Sequence, residues 1–84
     1  PAEAVGENEV YELEFEPGAR LVSDPHGPGC REHLTVIDGR VRVVSGGEGE
    51  ALGPGDVARY AADRDHEIAA EGGAARAILI VQGS

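Results

Sequence analysis

Glu32 is the residue with most to explain. It stands in the run Glu32-His33-Leu34-Thr35-Val36-Ile37, where Glu32, Leu34 and Val36 share one face and His33, Thr35 and Ile37 the other. If Leu34 and Val36 face a core, Glu32 faces it too. An unpaired buried carboxylate is very costly, so an inward Glu32 requires a partner, a ligand or a proton. His66 lies on the face of Ile68 in its own alternating run, and Cys30 has the same parity as Glu32. His33 falls on the opposite face and reads as a surface or interface residue. Arg59 and Tyr60 occupy opposite faces of one short run, so one of them is expected to reach an interior pocket, Arg as a carboxylate clamp or Tyr as a hydroxyl donor. Arg59 serves equally well as a counter-charge on an acidic surface. A serine nucleophile has no support, because Ser45 has no His/Asp constellation near it. The Gly-rich run Gly46-Gly47-Glu48-Gly49-Glu50 lacks the Lys-Ser/Thr and the helix of a phosphate loop.

The elements that must position these side chains are short strands. Val10 to Glu16 alternates Tyr11, Leu13 and Phe15 against Glu12, Glu14 and Glu16, as a half-buried strand with a charged outer face does. Pro17-Gly18 turns it into a short strand over Ala19 to Ser23, followed by a Pro/Gly loop over Asp24 to Gly29. The Glu32 strand is expected to close a β-hairpin through a two-residue turn at Asp38-Gly39, returning with Val41 and Val43 alternating against Arg40 and Arg42. Ser45 to Gly49 reads as a loose turn before a short strand over Glu50 to Leu52, and Gly53-Pro54-Gly55-Asp56 as a further turn. Strands over Val57 to Ala61, His66 to Ala70 and Ala75 to Val81 complete about eight, with no helix. The fold class is therefore all-β, a sandwich or barrel. The expected division is an acidic linker at residues 1–9, a barrel at 10–82 and a terminal tail at 83–84.

The bulk composition narrows the function. The 84 residues suffice for one domain with a modest core, and 13 Gly with 5 Pro favour short strands over helices. A chain this small buries only about 60–65% of its unfolded surface, so a homodimer would help it. A net charge of −9 argues against direct nucleic acid contact, which needs a basic surface. No stretch is apolar enough to span a membrane and no signal-peptide pattern opens the chain. The single cysteine forbids an intrachain disulfide, which makes a cytoplasmic location the natural expectation. With no Met at its start or elsewhere, the chain is expected to be a processed protein or a piece of a longer one.

With these pieces placed, the sequence resembles a cupin, a small double-stranded β-helix or jelly-roll barrel. The first cupin motif is His-x-His, three or four residues, Glu, six residues, Gly. His26, Glu32 and Gly39 fit it, while Pro28 holds the second His position. In the second motif Gly55 and His66 fit, and Ala61, Asp63 and Ala70 stand where Pro, Gly and Asn would. The runs FEPGAR, PHGPGCREHLTVIDGRVRV, LGPGD and AADRDHEI are similar to the C-terminal cupin of bacterial helix-turn-helix (XRE-type) transcription regulators. That resemblance implies a barrel with an internal small-molecule pocket, frequent homodimers, and a DNA-binding domain outside this chain. It also implies His26, Glu32 and His66 as the ligand-binding residues, with no catalytic residue assigned. Those three carry over as three of four cupin metal ligands, of types that suit Zn, Fe, Mn or Ni. Cys30 could replace the missing fourth ligand, or be a small buried residue at a strand start. The cofactor stays open: a divalent metal is the alternative, and a metal-free polar pocket with walls of Leu13, Phe15, Leu34, Val43 and Ile68 is preferred. The corresponding functions are a ligand-sensing regulator domain or, alternatively, a stand-alone metal-dependent enzyme of dioxygenase or isomerase type.

Overall fold

The computed structural model describes residues 8–83; residues 1–7, most of the expected linker, and Ser84 lie outside the described residues. The described residues form eight strands: β1 (Asn8–Phe15), β2 (Arg20–Ser23), β3 (Arg31–Asp38), β4 (Val41–Ser45), β5 (Glu48–Leu52), β6 (Val57–Ala61), β7 (His66–Ala70) and β8 (Ala75–Gln82). No helix occurs among the described residues, so none is long and apolar enough to cross a membrane. The all-β class stands, and β1 begins two residues earlier than the alternation of Val10 to Glu16 predicted.

The strands make two four-stranded antiparallel sheets, ordered β1-β8-β3-β6 and β2-β7-β4-β5. Period-2 alternation turns one face of each sheet inward, and the two inner faces share a single core. Leu34, Val36, Ala77 and Leu79 come from the first sheet; Val41, Val43, Leu52 and Ile68 come from the second. Leu34, Val36, Val41 and Ile68 are essentially inaccessible. Burial of each such side chain contributes about 1.5–3 kcal/mol.

The expected hairpin at Asp38-Gly39 does not exist. Both sides of β3 are taken by β8 and β6, and both sides of β4 by β7 and β5. The register slips between Val36 and Asp38, and Gly39 at φ +78° then carries the chain from one sheet to the other. Gly39 takes positive φ but Asp38 does not, and a local turn signal says nothing about which strands pair afterwards. The two-residue hairpin lies instead where a loose turn was expected. Ser45 pairs with Glu48 across Gly46-Gly47, both with positive φ (58° and 87°), as a type I′ turn demands.

Candidate functional site

Glu32 sits on the inner face of β3, 3% exposed, with Tyr60 of β6 directly across the ladder. The Tyr60 hydroxyl donates to Glu32 Oε1 at 2.7 Å. Glu32 Oε2 faces two imidazoles: His66 Nε2 at 3.1 Å and His26 Nε2 at 3.4 Å. His66 opens β7 in the facing sheet, so the cluster ties the two sheets together. His26 lies in the β2–β3 loop, held by its backbone N–H donating to the Ala62 carbonyl at 2.8 Å; its side chain is 41% exposed. Ser45, at the end of β4 and buried, adds a second tie by donating its hydroxyl to the Ala61 carbonyl at 2.7 Å.

The hydrogen-bond geometry fixes a proton. His66 Nδ1 lies 2.7 Å from the Arg64 carbonyl oxygen, which can only accept, so Nδ1 carries hydrogen. The 3.1 Å approach of His66 Nε2 to Glu32 Oε2 then requires a proton between the two atoms, or a cation in its place. Burial, with the Glu32 carboxylate beside it, pushes the Tyr60 phenol far above its ordinary value, so it remains a donor.

The cluster also passes a test for a divalent metal. His26 Nε2, Glu32 Oε2 and His66 Nε2 all lie within 4.8 Å of one another. Each buried member is oriented by its other polar atom, His66 through Nδ1 to a carbonyl and Glu32 through Oε1 to Tyr60, as ligands of bound metals commonly are. Two imidazoles and a carboxylate would hold such an ion and leave positions open for Lewis-acid chemistry on a bound molecule. Cys30 does not join this group. It is 1% exposed, and burial, with Glu32 nearby, pushes its thiol up and away from the thiolate a metal requires.

A cavity of about 600 Å³ opens beside the cluster, between β1 and β2. His26, Cys30 and Glu32 line it together with Leu13, Leu21 and Leu79. His66 does not line it and lies buried behind. Of the expected wall only Leu13 is present; Phe15, Leu34, Val43 and Ile68 pack into the core beyond Glu32. Alternation assigned those four to the interior correctly, but it cannot say how far along the barrel the interior is filled. The sequence also left Arg59 and Tyr60 undecided. Arg59 points outward and Tyr60 inward, a choice made by the register of β6 on β3.

The fold and the cluster can be set beside known proteins. The chain is 38% identical over 58 residues to the helix-turn-helix transcriptional regulator SutR of Escherichia coli, covering 69% of this chain and 33% of SutR. Among solved structures it superposes on a helix-turn-helix family transcriptional regulator from Vibrio cholerae with a TM-score of 0.90 at 26% identity, over 100% of this chain and 47% of that one. The cupin domain of an XRE family regulator from Enterobacter cloacae gives 0.85 at 25% identity, over 93% and 83%. The chain thus spans about a third of SutR and about half of the Vibrio regulator. A family model described as a cupin domain matches residues 11–81, and with two facing antiparallel sheets around a His/Glu/His cluster the chain belongs to the Cupin_2 family, related to the cupin domains of transcription regulators.

Proposed function

We propose that this chain is the small-molecule-sensing module of a cytoplasmic transcription regulator whose DNA-binding domain lies outside it. The observation that carries the reading is a buried carboxylate, anchored by Tyr60, His66 and His26, at the base of an otherwise largely apolar cavity. A ligand site of this kind has apolar walls with a few fixed polar groups, and a volume within the usual range. The likeness to the Vibrio and Enterobacter regulators supports the regulatory context. In this reading His26 and Glu32 touch the ligand, His66 holds Glu32 in place from behind the cavity wall, and the occupied cavity biases the arrangement of a dimer and so the spacing of its DNA-binding domains. A screen of small metabolites by thermal shift tests it. At least one compound is expected to raise the Tm of the wild-type chain but not of His66→Ala; a complete screen without such a compound counts against the reading.

The homodimer would use the outer face of β1-β8-β3-β6. Val10 (65% exposed) pairs with Ile80, and Ile78 of β8 lies beside Thr35, which is opposite Val57 (46% exposed). These apolar side chains, set among Glu12, His33, Thr35 and Arg59 on the same face, form a mixed surface that a second copy would cover. Ile80→Glu is expected to weaken dimerisation by roughly a hundredfold, because it puts an unpaired charge at the centre of the interface. Sedimentation at high micromolar concentration reads this, and a monomeric wild-type chain rejects the dimer. With a net charge of −9 the chain alone is expected not to retard DNA in a gel at moderate salt.

The second reading, a metal-dependent enzyme, is favoured by the convergence of the three donor atoms within 4.8 Å. Stoichiometric metal in the purified protein, lost together with a turnover in His66→Ala, would select it over sensing.

A further inference from the structure

We propose that the cavity selects a small organic cation, a primary ammonium on an apolar body, over carboxylates, phosphates and sulfates of similar size. The proposal rests on the reading of the cavity as a ligand site. Its lining carries two carboxylates and no guanidinium. Glu32 is at the base, and Glu9 of β1 lines the same space, held by the Tyr11 hydroxyl donating to its Oε1 at 2.9 Å. Between them the wall includes Leu13, Leu21, Leu79 and Val81. His66 Nε2 is hydrogen-bonded to Glu32 Oε2 and His26 Nε2 lies 3.4 Å from the same oxygen, so both nitrogens face the carboxylate.

The placement of the arginines strengthens the case. The chain has seven basic residues, all Arg, and none lines the cavity. Arg20 pairs with Glu67 at 2.9 Å and Arg76 approaches Asp38 at 3.5 Å. Arg31, Arg59 and Arg64 line a separate groove beside β5 and β6, while Arg40 lies against Gly53 and Arg42 against Gly49. Every arginine of the chain therefore lies elsewhere; the proton shared by Glu32 and His66 offsets the charge at the base, and the uncompensated charge on the lining is the Glu9 carboxylate, within a chain of net charge −9. Low-dielectric walls focus the field of that charge. An anion entering would give up water beside a carboxylate, whereas an ammonium would exchange water for a charge-assisted hydrogen bond.

A series on one carbon skeleton separates charge from shape. Isothermal titration of the chain, kept metal-free with a chelator at pH 8, compares n-hexylammonium, n-hexanol and hexanoate. Hexylammonium is expected to bind at least about tenfold tighter than hexanoate, with hexanol between them. Glu9→Gln, a change on an exposed strand residue, is expected to lower hexylammonium affinity by roughly three- to tenfold. Hexanoate binding as tightly as hexylammonium, or an ammonium affinity untouched by Glu9→Gln, overturns the cation preference and leaves the ligand cavity standing. If hexanoate binds only to zinc-loaded protein and hexylammonium to neither form, the cavity is a metal-dependent anion site and the proposal again fails. Failure of all three compounds to bind, with or without zinc, overturns the cavity reading itself.

Discussion

Gly39→Val is expected to leave the chain largely unfolded at 25 °C. Two costs coincide at this position. A β-branched side chain resists φ +78°, at about 1–2 kcal/mol or more. The new Cβ would also drive into the Ala74 carbonyl oxygen and approach the Ala75 Cα to 2.8 Å, backbone atoms at the start of β8 that cannot swing aside. A domain of this length has roughly 4–12 kcal/mol of stability in total, so the combined cost is comparable with the whole. Gly18 separates the two effects. Its φ is +79°, but a Cβ there would meet nothing within 4 Å. Urea denaturation followed by circular dichroism should therefore show Gly18→Ala costing about 1 kcal/mol and Gly39→Ala several times more. Equal costs at the two sites would mean that Gly39 does not pack against the start of β8 as described.

Glu32→Ala carries the second large effect. Removing the carboxylate leaves the Tyr60 hydroxyl and the His66 Nε2 without their buried partner, at about 1–3 kcal/mol for each group stranded. The chain should remain folded at low temperature with its unfolding midpoint clearly lowered, and the binding of any cavity ligand should fall by at least about a hundredfold. Tyr60→Phe removes one hydrogen bond and no carboxylate, so it is expected to cost only about 1–2 kcal/mol. A Glu32→Ala protein as stable as the wild type would contradict the cluster as drawn. Loss of stability with ligand affinity preserved would show that the cluster holds the sheets together without touching the ligand.

Glu32 was legible in the sequence for a simple reason. Its strand lies between two others and is buried on one face, so alternation alone decides which side chains turn inward. The same argument placed His66 with Ile68 on β7. Strand pairing was less legible. Asp38-Gly39 and Gly46-Gly47 both announce positive φ, but only the second closes a hairpin, because pairing is decided by partners far away in the chain. Tyr60 could not be separated from Arg59 for a related reason: five residues with two plausible inward faces need a neighbouring strand to choose between them. The wall of the cavity was the least legible part. Phe15 and Leu13 have the same parity on β1, yet one packs into the core cluster and the other borders open space.

The order of the strands also sets how the chain must fold. Of the six strand pairings described, only β4 with β5 joins neighbours in sequence. β1 waits for β8, with Asn8 lying opposite Gln82, and β2 waits for β7. Almost every ladder therefore demands that distant segments meet before they gain any hydrogen bonds, and the entropy of closing those loops comes first. Refolding in milliseconds to seconds is the expected regime, slow for so short a chain, and the Gly46-Gly47 hairpin is the one piece able to form early by itself.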